Sequence, residues 1–233
     1  IEEKHMITFF SHIPKAGGTT LKQMFFRAFG PQGCIKVWDP NFGADVDVEG
    51  FRGLEESRFR EISAVVGHLP VGSFMENPFG KSLFDRGQVD IITSVRHPFE
   101  RMVSLYNYLS YNSEHPHHER IKKTPLANFV KYQPANYQFE YLKADCFKTP
   151  KDILKSLKVF SMEKSIEGFG KYFSERHNFI AGKVEVQNTS KTHAGSRRLY
   201  KVEDIPRDIL LELNDKHELD LELYESAKRY GLG

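Results

Sequence analysis

Long hydrophobic runs are the first thing this sequence lacks. No apolar stretch approaches the ~20 residues of a membrane-spanning helix, and no secretory signal is visible, so neither a span nor a leader is read from it. Cysteine is nearly absent: Cys34 and Cys146 are the only two, enough to form one pair and too few to decide anything about compartment. Excess charge is missing as well. A formal net charge of +2 over 233 residues is too mild to mark nucleic acid as a partner. It is compatible with a locally basic cleft for a polyanionic ligand, since Arg120, Lys122, Lys123 and Lys131 form one basic group and Lys191, Arg197, Arg198 and Lys201 another. The chain also lacks linkers, low-complexity tracts and repeats. Its length suits one α/β domain over residues 1–233 with a sizeable core.

What is present concentrates in a few short segments. Ile7 to Phe10 reads as a buried strand, which breaks at Pro14 and passes through Gly17 and Gly18. It then enters a pattern that sets Leu21, Met24, Phe25, Ala28 and Phe29 on one helical face. A strand, a tight turn and a helix start follow one another, with Lys15 in the turn and Thr19 and Thr20 at the cap. Backbone N–H groups and the positive end of the helix dipole make such a turn a seat for a phosphate-like anion. It is not a Walker A loop, where the lysine follows the last glycine and a hydroxyl binds magnesium. Here Lys15 precedes both glycines, and no convincing acidic strand end follows.

A second strand-like run, Val89 to Val95, leads into Arg96-His97-Pro98 and a helix with Met102, Val103, Tyr106 and Leu109 on one face. Ser104 lies about two turns beyond Arg96. A guanidinium fork with a hydroxyl suits a tetrahedral dianion. Between the two motifs, Ser63 to Gly67 forms a brief strand ending at His68, an imidazole that titrates near neutrality.

The string His12-Ile13-Pro14-Lys15-Ala16-Gly17-Gly18-Thr19-Thr20 resembles the 5′-phosphosulfate loop of sulfotransferases that use 3′-phosphoadenosine 5′-phosphosulfate (PAPS). It looks most like the heparan sulfate 2-O- and 6-O-sulfotransferase branch. The resemblance implies PAPS as donor, with Lys15, Ala16, Gly17, Gly18, Thr19 and Thr20 at the phosphosulfate. It implies Arg96 and Ser104 on the 3′-phosphate, His68 as the base that deprotonates a carbohydrate hydroxyl, and no metal. Residues 135–142 are similar to an N-x-Q-x-x-x-L pattern of the 6-O branch. Thr189, Ser190 and Lys191 look like the late loop that folds over the nucleotide. One departure is His97, where the family often carries Asp. Two other classes stay open: a P-loop kinase or NTPase, against which the misplaced lysine argues, and a nucleotide- or glycan-binding domain without turnover, against which His68 argues.

The expected architecture is a central parallel sheet with helices on both faces and a helical C-terminal segment. Strands are expected near 7–10, 64–67, 90–95 and 159–161, and helices near 19–29, 98–109, 151–157 and 165–173. Pro206 opens one late helix, and Leu219, Leu223, Tyr224 and Ala227 line another. His115, His117 and His118 fall in a polar loop read as a surface loop or substrate lip rather than a metal site. His5-Met6 looks like a cloning junction; on that expectation residues 1–5 are vector-derived and the native protein is expected to be a cytoplasmic, bacterial enzyme. The alternative is the Golgi lumen, since eukaryotic relatives of this branch are type II membrane proteins.

Overall fold

The apolar run Ile7–Ser11 forms β1, buried along its whole length. The computed structural model describes residues 6–37, 44–180, 182, 184 and 194–230. From β1 the chain turns into α1 (Gly18–Phe29) and returns as β2 (Cys34–Val37). Helices α2 (Val48–Arg52) and α3 (Glu56–Arg60) lead to β3 (Ala64–Gly67), and α4 (Val71–Glu76) and α5 (Pro78–Asp85) to β4 (Val89–Val95). Beyond β4 run α6 (Pro98–Tyr111), α7 (His118–Lys122), α8 (Leu126–Lys131), α9 (Tyr137–Leu142) and α10 (Pro150–Ser156). Then come β5 (Lys158–Ser161) and α11 (Ser165–His177). A 3-10 turn at Val202–Asp204 precedes α12 (Arg207–Lys216) and α13 (Glu218–Tyr230).

Every strand pairing is parallel, in the order β2-β3-β1-β4-β5. The expected α/β class is therefore the observed one. Alternation along the strands explains why both faces are covered. In β1, Ile7 and Phe9 enter one apolar cluster and Phe10 the other; in β4, Ile91 and Ile92 divide the same way. The first face is closed by short helices and by Leu223, Tyr224 and Ala227 of α13. On the opposite face, Leu21, Met24 and Phe25 of α1 meet Phe169, Tyr172 and Phe173 of α11. A third cluster wraps α6 with residues of α7, α8 and α12.

The four expected strands and the main helices are all present. The edge strand β2 is an addition: Cys-Ile-Lys-Val is only four residues long, and Lys36 interrupts its apolar run. Helices of five to eight residues such as α2 to α5 were also not anticipated, because one or two turns carry too few apolar positions to define a period. Both cysteines are free thiols, Cys34 buried and Cys146 exposed. Burial pushes the Cys34 thiol up to about 12. Among the described residues, no helix is long and apolar enough to cross a membrane.

The topology selects one crevice. From β1 the chain departs toward β2 at one edge, and from β4 toward β5 at the other, although β1 and β4 are hydrogen-bonded neighbours. Connections that diverge in this way leave an opening beyond the carboxyl ends of the two strands, where open α/β sheets place their ligands.

Two substitutions test this packing. Phe25 stacks on Phe10 at 5.2 Å between ring centroids and meets Phe173 edge-on at 4.9 Å, so it seats α1 against the sheet. Phe25→Ala is expected to cost about 3–5 kcal/mol in urea unfolding. An added Cβ at Gly170, inside α11, would meet nothing within 4 Å. Gly170→Ala is therefore expected to stabilise by roughly 0.5–1 kcal/mol.

Candidate active site

The loop from His12 to Gly17 is suspended from the strand ends beside it. The His12 amide donates to the Gly67 carbonyl at 2.9 Å. The Ser11 hydroxyl donates to the Leu69 carbonyl at 2.9 Å, Thr93 to the Ser11 carbonyl at 2.7 Å, and Ser94 to the Ala16 carbonyl at 2.6 Å. Three hydroxyls thus spend themselves on backbone carbonyls and hold the loop on both flanks. Gly17 is the N-cap of α1 at φ +88°, a conformation that suits glycine. A Cβ on Gly18 would sit 1.8 Å from the His12 ring, so that position admits no side chain while His12 packs there.

Thr19 and Thr20 lie within the first turn of α1 rather than at its cap, Thr19 half-buried and Thr20 buried. No side chain caps the helix, and no acidic residue lies in its first turn. Its leading N–H groups and dipole face the loop without a built-in anion. Lys15, half-buried and with φ +68°, reaches over the Tyr108 ring at 4.3 Å from the centroid. Burial, and then the nearby Arg96 charge, lower its ammonium to about 8. Lys22, one turn further into α1, is almost wholly buried, and burial lowers it to about 7.

His68 stands at the end of β3. Its ring stacks on His12 at 4.2 Å, and its Nδ1 lies 2.9 Å from the His12 carbonyl oxygen. A carbonyl can only accept, so Nδ1 carries the hydrogen and the neutral ring keeps its lone pair on Nε2. Burial is the main cause that lowers His68 to about 4; the bond to His12 opposes the shift and the Lys22 charge adds to it. His12 is also held well below its ordinary value, first by burial and then by His68, Lys22 and Lys15. Both imidazoles are neutral at pH 7.

Arg96 follows the last residue of β4. Its guanidinium Nε donates to Glu100 at 3.2 Å. Its backbone is gripped by one side chain: the Arg96 N–H donates to Gln138 Oε1 at 2.9 Å, and Gln138 Nε2 donates to the Arg96 carbonyl at 2.7 Å. Glu100, Ser104 and Tyr108 recur every four residues on α6 and share one face. Glu100 and Tyr108 lie about 12 Å apart along the helix axis with Ser104 between them; Arg96 contacts the first and Lys15 the second. Lys15, His68 and Arg96, far apart in sequence, follow the carboxyl ends of the adjacent strands β1, β3 and β4, and Ser104 lies on α6 between the residues that Arg96 and Lys15 touch. Thr189, Ser190 and Lys191 lie outside the described residues.

Several contributors were not singled out as site residues from sequence. In the sequence His12 is only one residue of the loop; its bond to the Gly67 carbonyl and its stack on His68 need β1 and β3 side by side. Tyr108 and Glu100 carry the signal of four-residue spacing from Ser104, which becomes informative once Lys15 and Arg96 are known to reach α6. His97, the departure from the family pattern, packs its ring edge-on against Tyr224 at 5.4 Å. Of the three histidines expected in a surface loop, His118 instead opens α7 and is buried, bonding the Leu109 carbonyl at 3.1 Å, while His115 in the loop lies edge-on to Tyr108 at 5.8 Å. The loop therefore reaches the Lys15 end of α6. Among the described residues, no three His, Cys, Asp or Glu side chains group as a metal would require.

One turn beyond Tyr108, the Tyr111 hydroxyl donates to the Arg198 carbonyl at 2.6 Å, and the Arg197 guanidinium lies over the Tyr111 ring at 4.6 Å. A cavity of about 410 Å3 opens there, with Arg197, Arg198 and Lys201 in its wall.

No family model and no curated protein matches the chain. Among solved structures, mouse sulfotransferase SULT7A1 complexed with PAP is similar over 97% of this chain and 88% of its own, at a TM-score of 0.49 and 14% sequence identity. A likeness of that size carries no functional weight.

Proposed function

We propose that the chain is a sulfotransferase that moves the sulfuryl group of PAPS to a carbohydrate hydroxyl. The observation that supports this reading is that two cationic side chains and a neutral imidazole follow the carboxyl ends of three adjacent strands, β1, β4 and β3. Lys15 with the uncapped start of α1 is one anion seat, and Arg96 with Ser104 on the α6 face is the other. His68, with its tautomer set by the His12 carbonyl, stacks on the first residue of the Lys15 loop. The choice of a carbohydrate acceptor rests on the resemblance of residues 12–20 to the heparan sulfate 2-O- and 6-O-sulfotransferase branch. The cationic wall of Arg197, Arg198 and Lys201 suits an anionic saccharide.

In the proposed step, the acceptor oxygen attacks sulfur and its proton passes to His68 Nε2. The bond between sulfur and the bridging oxygen breaks, and 3′-phosphoadenosine 5′-phosphate leaves with that electron pair. Lys15 and the N–H groups of Gly17 to Thr20 meet the charge that grows on the phosphosulfate oxygens. Arg96 and Ser104 hold the 3′-phosphate, which separates this donor from ATP. Positioning and electrostatics supply most of the acceleration, as in phosphoryl transfer.

Calorimetric titration tests the donor. The 3′,5′-bisphosphate of adenosine is expected to bind in the micromolar range and ADP weakly, and Arg96→Ala is expected to erase that preference. Magnesium-dependent ATP binding with no response to the bisphosphate would overturn the reading in favour of a kinase or NTPase. His68→Ala is expected to lower the rate by about two or more orders of magnitude on a turned-over acceptor. A rate near wild type would remove His68 as the base.

The Lys15 shift makes a further prediction. In the free protein the ammonium titrates near 8, below its ordinary value of 10.5, because of burial and Arg96. A bound anion favours the charged form and raises it again. Between these limits the complex holds more protons than the free protein. Bisphosphate binding is therefore expected to take up protons near pH 9 and to weaken as pH rises above 8, with the uptake lost in Lys15→Met. Calorimetry in buffers of different ionisation enthalpy reads the proton count directly.

A further inference from the structure

We propose that Gln138 is a positioning residue for Arg96, fixing the guanidinium that separates nucleotides bearing a 3′-phosphate from those without one. The inference rests on the assignment of Arg96 to that phosphate.

Strand β4 ends at Val95, so the N–H and C=O of Arg96 lie one residue past the assigned strand. The Gln138 carboxamide meets both at 2.9 and 2.7 Å and so acts as a surrogate strand edge. The planar amide of Gln offers a donor and an acceptor side by side, spaced to meet a backbone N–H and C=O together. Gln138 is wholly buried, which keeps water from competing for either bond.

The amide is itself located by a second clamp. Asp220, buried in the first turn of α13, accepts from the Gln138 N–H at 3.2 Å and the Phe139 N–H at 2.7 Å. In return, Asn136 Oδ1 accepts from the Leu219 and Asp220 N–H groups at 3.0 and 3.2 Å. Helices α9 and α13 thus cap each other with exchanged side chains, and Gln138 stands where this lock meets Arg96. Nothing in these contacts touches the loop at Lys15. Loosening Gln138 should therefore disturb the 3′-phosphate seat and spare the 5′ one.

The test is a double-substitution cycle on the full chain, with calorimetric titration of adenosine 3′,5′-bisphosphate and of ADP. Gln138→Ala is expected to weaken the bisphosphate roughly tenfold, the scale of one charge-assisted hydrogen bond, with ADP changed less than about twofold. Added to Arg96→Ala, it is expected to cost nothing more, because the group it positions is gone. Should the alanine variant not fold, Gln138→Glu serves: it can still accept from the Arg96 N–H but offers the Arg96 carbonyl no donor, and the same selective loss is expected. Equal weakening of both nucleotides, or a loss that adds to that of Arg96→Ala, would mean a general structural role and overturn the proposal. So would a Gln138 variant that keeps wild-type preference while Arg96→Ala loses it. A wild-type protein with no preference for the bisphosphate would instead overturn the assignment of Arg96, and this proposal with it.

Discussion

The pairing of β1 with β4 is the constraint on which the site depends. Because the two are hydrogen-bonded neighbours whose following segments leave toward opposite edges, their carboxyl ends stay uncovered. The adjacency also supplies anchors. Thr93 and Ser94 of β4 donate to the carbonyls of Ser11 and Ala16, and β3 on the other flank takes the His12 amide. A loop of six residues between strand and helix would have many conformations on its own. Three hydrogen-bonding groups on its neighbours, with two more holding Ser11 at its start, leave it few.

Burial gives the crevice its electrical character. Lys15, Lys22, His12 and His68 all lie in or beside it, and removal from water is the largest cause by which each is shifted away from its charged form. Such groups gain most from a bound anion, because the anion restores the stabilisation that water gave in the unfolded chain. The imidazoles stay neutral, and that is the state a proton acceptor must have. The His12 carbonyl decides which nitrogen is left to accept. A buried lysine costs stability that an apolar residue in the same place would not.

Helix α6 is the ruler of the site. Its half-buried stripe of Glu100, Ser104 and Tyr108 runs between the contacts of Arg96 and Lys15, and its buried stripe of Met102, Val103 and Tyr106 packs into a cluster of its own. The reciprocal caps between α9 and α13 tie the C-terminal helix to the start of this ruler. The last helix is therefore not an appendage. It closes one face of the sheet and reaches Arg96 through Asp220 and Gln138.

Local physics made much of this legible in the sequence. Apolar runs too short for buried helices, with Pro and Gly between them, disclosed four of the five strands and the parallel α/β class. The spacing of Leu21, Met24 and Phe25 disclosed α1, and the order of Lys15, Gly17 and Gly18 set the turn before it apart from a Walker A loop. Lys15, His68, Arg96 and Ser104 could be named because each follows a strand or lies on the helix after one. What the sequence could not disclose were relations across the chain. The stack of His12 on His68, the reach of Lys15 to Tyr108 and the clasp of Gln138 on Arg96 join residues 42 to 93 positions apart. No local period encodes such pairings, because strand order and helix packing set them. The pattern Asn136-x-Gln138 looked as much like the polar face of an amphipathic helix as like a motif. Only the placement of α13 against α9 turned its two amides into clamps, since a buried carboxamide takes its meaning from the partners that the fold delivers to it.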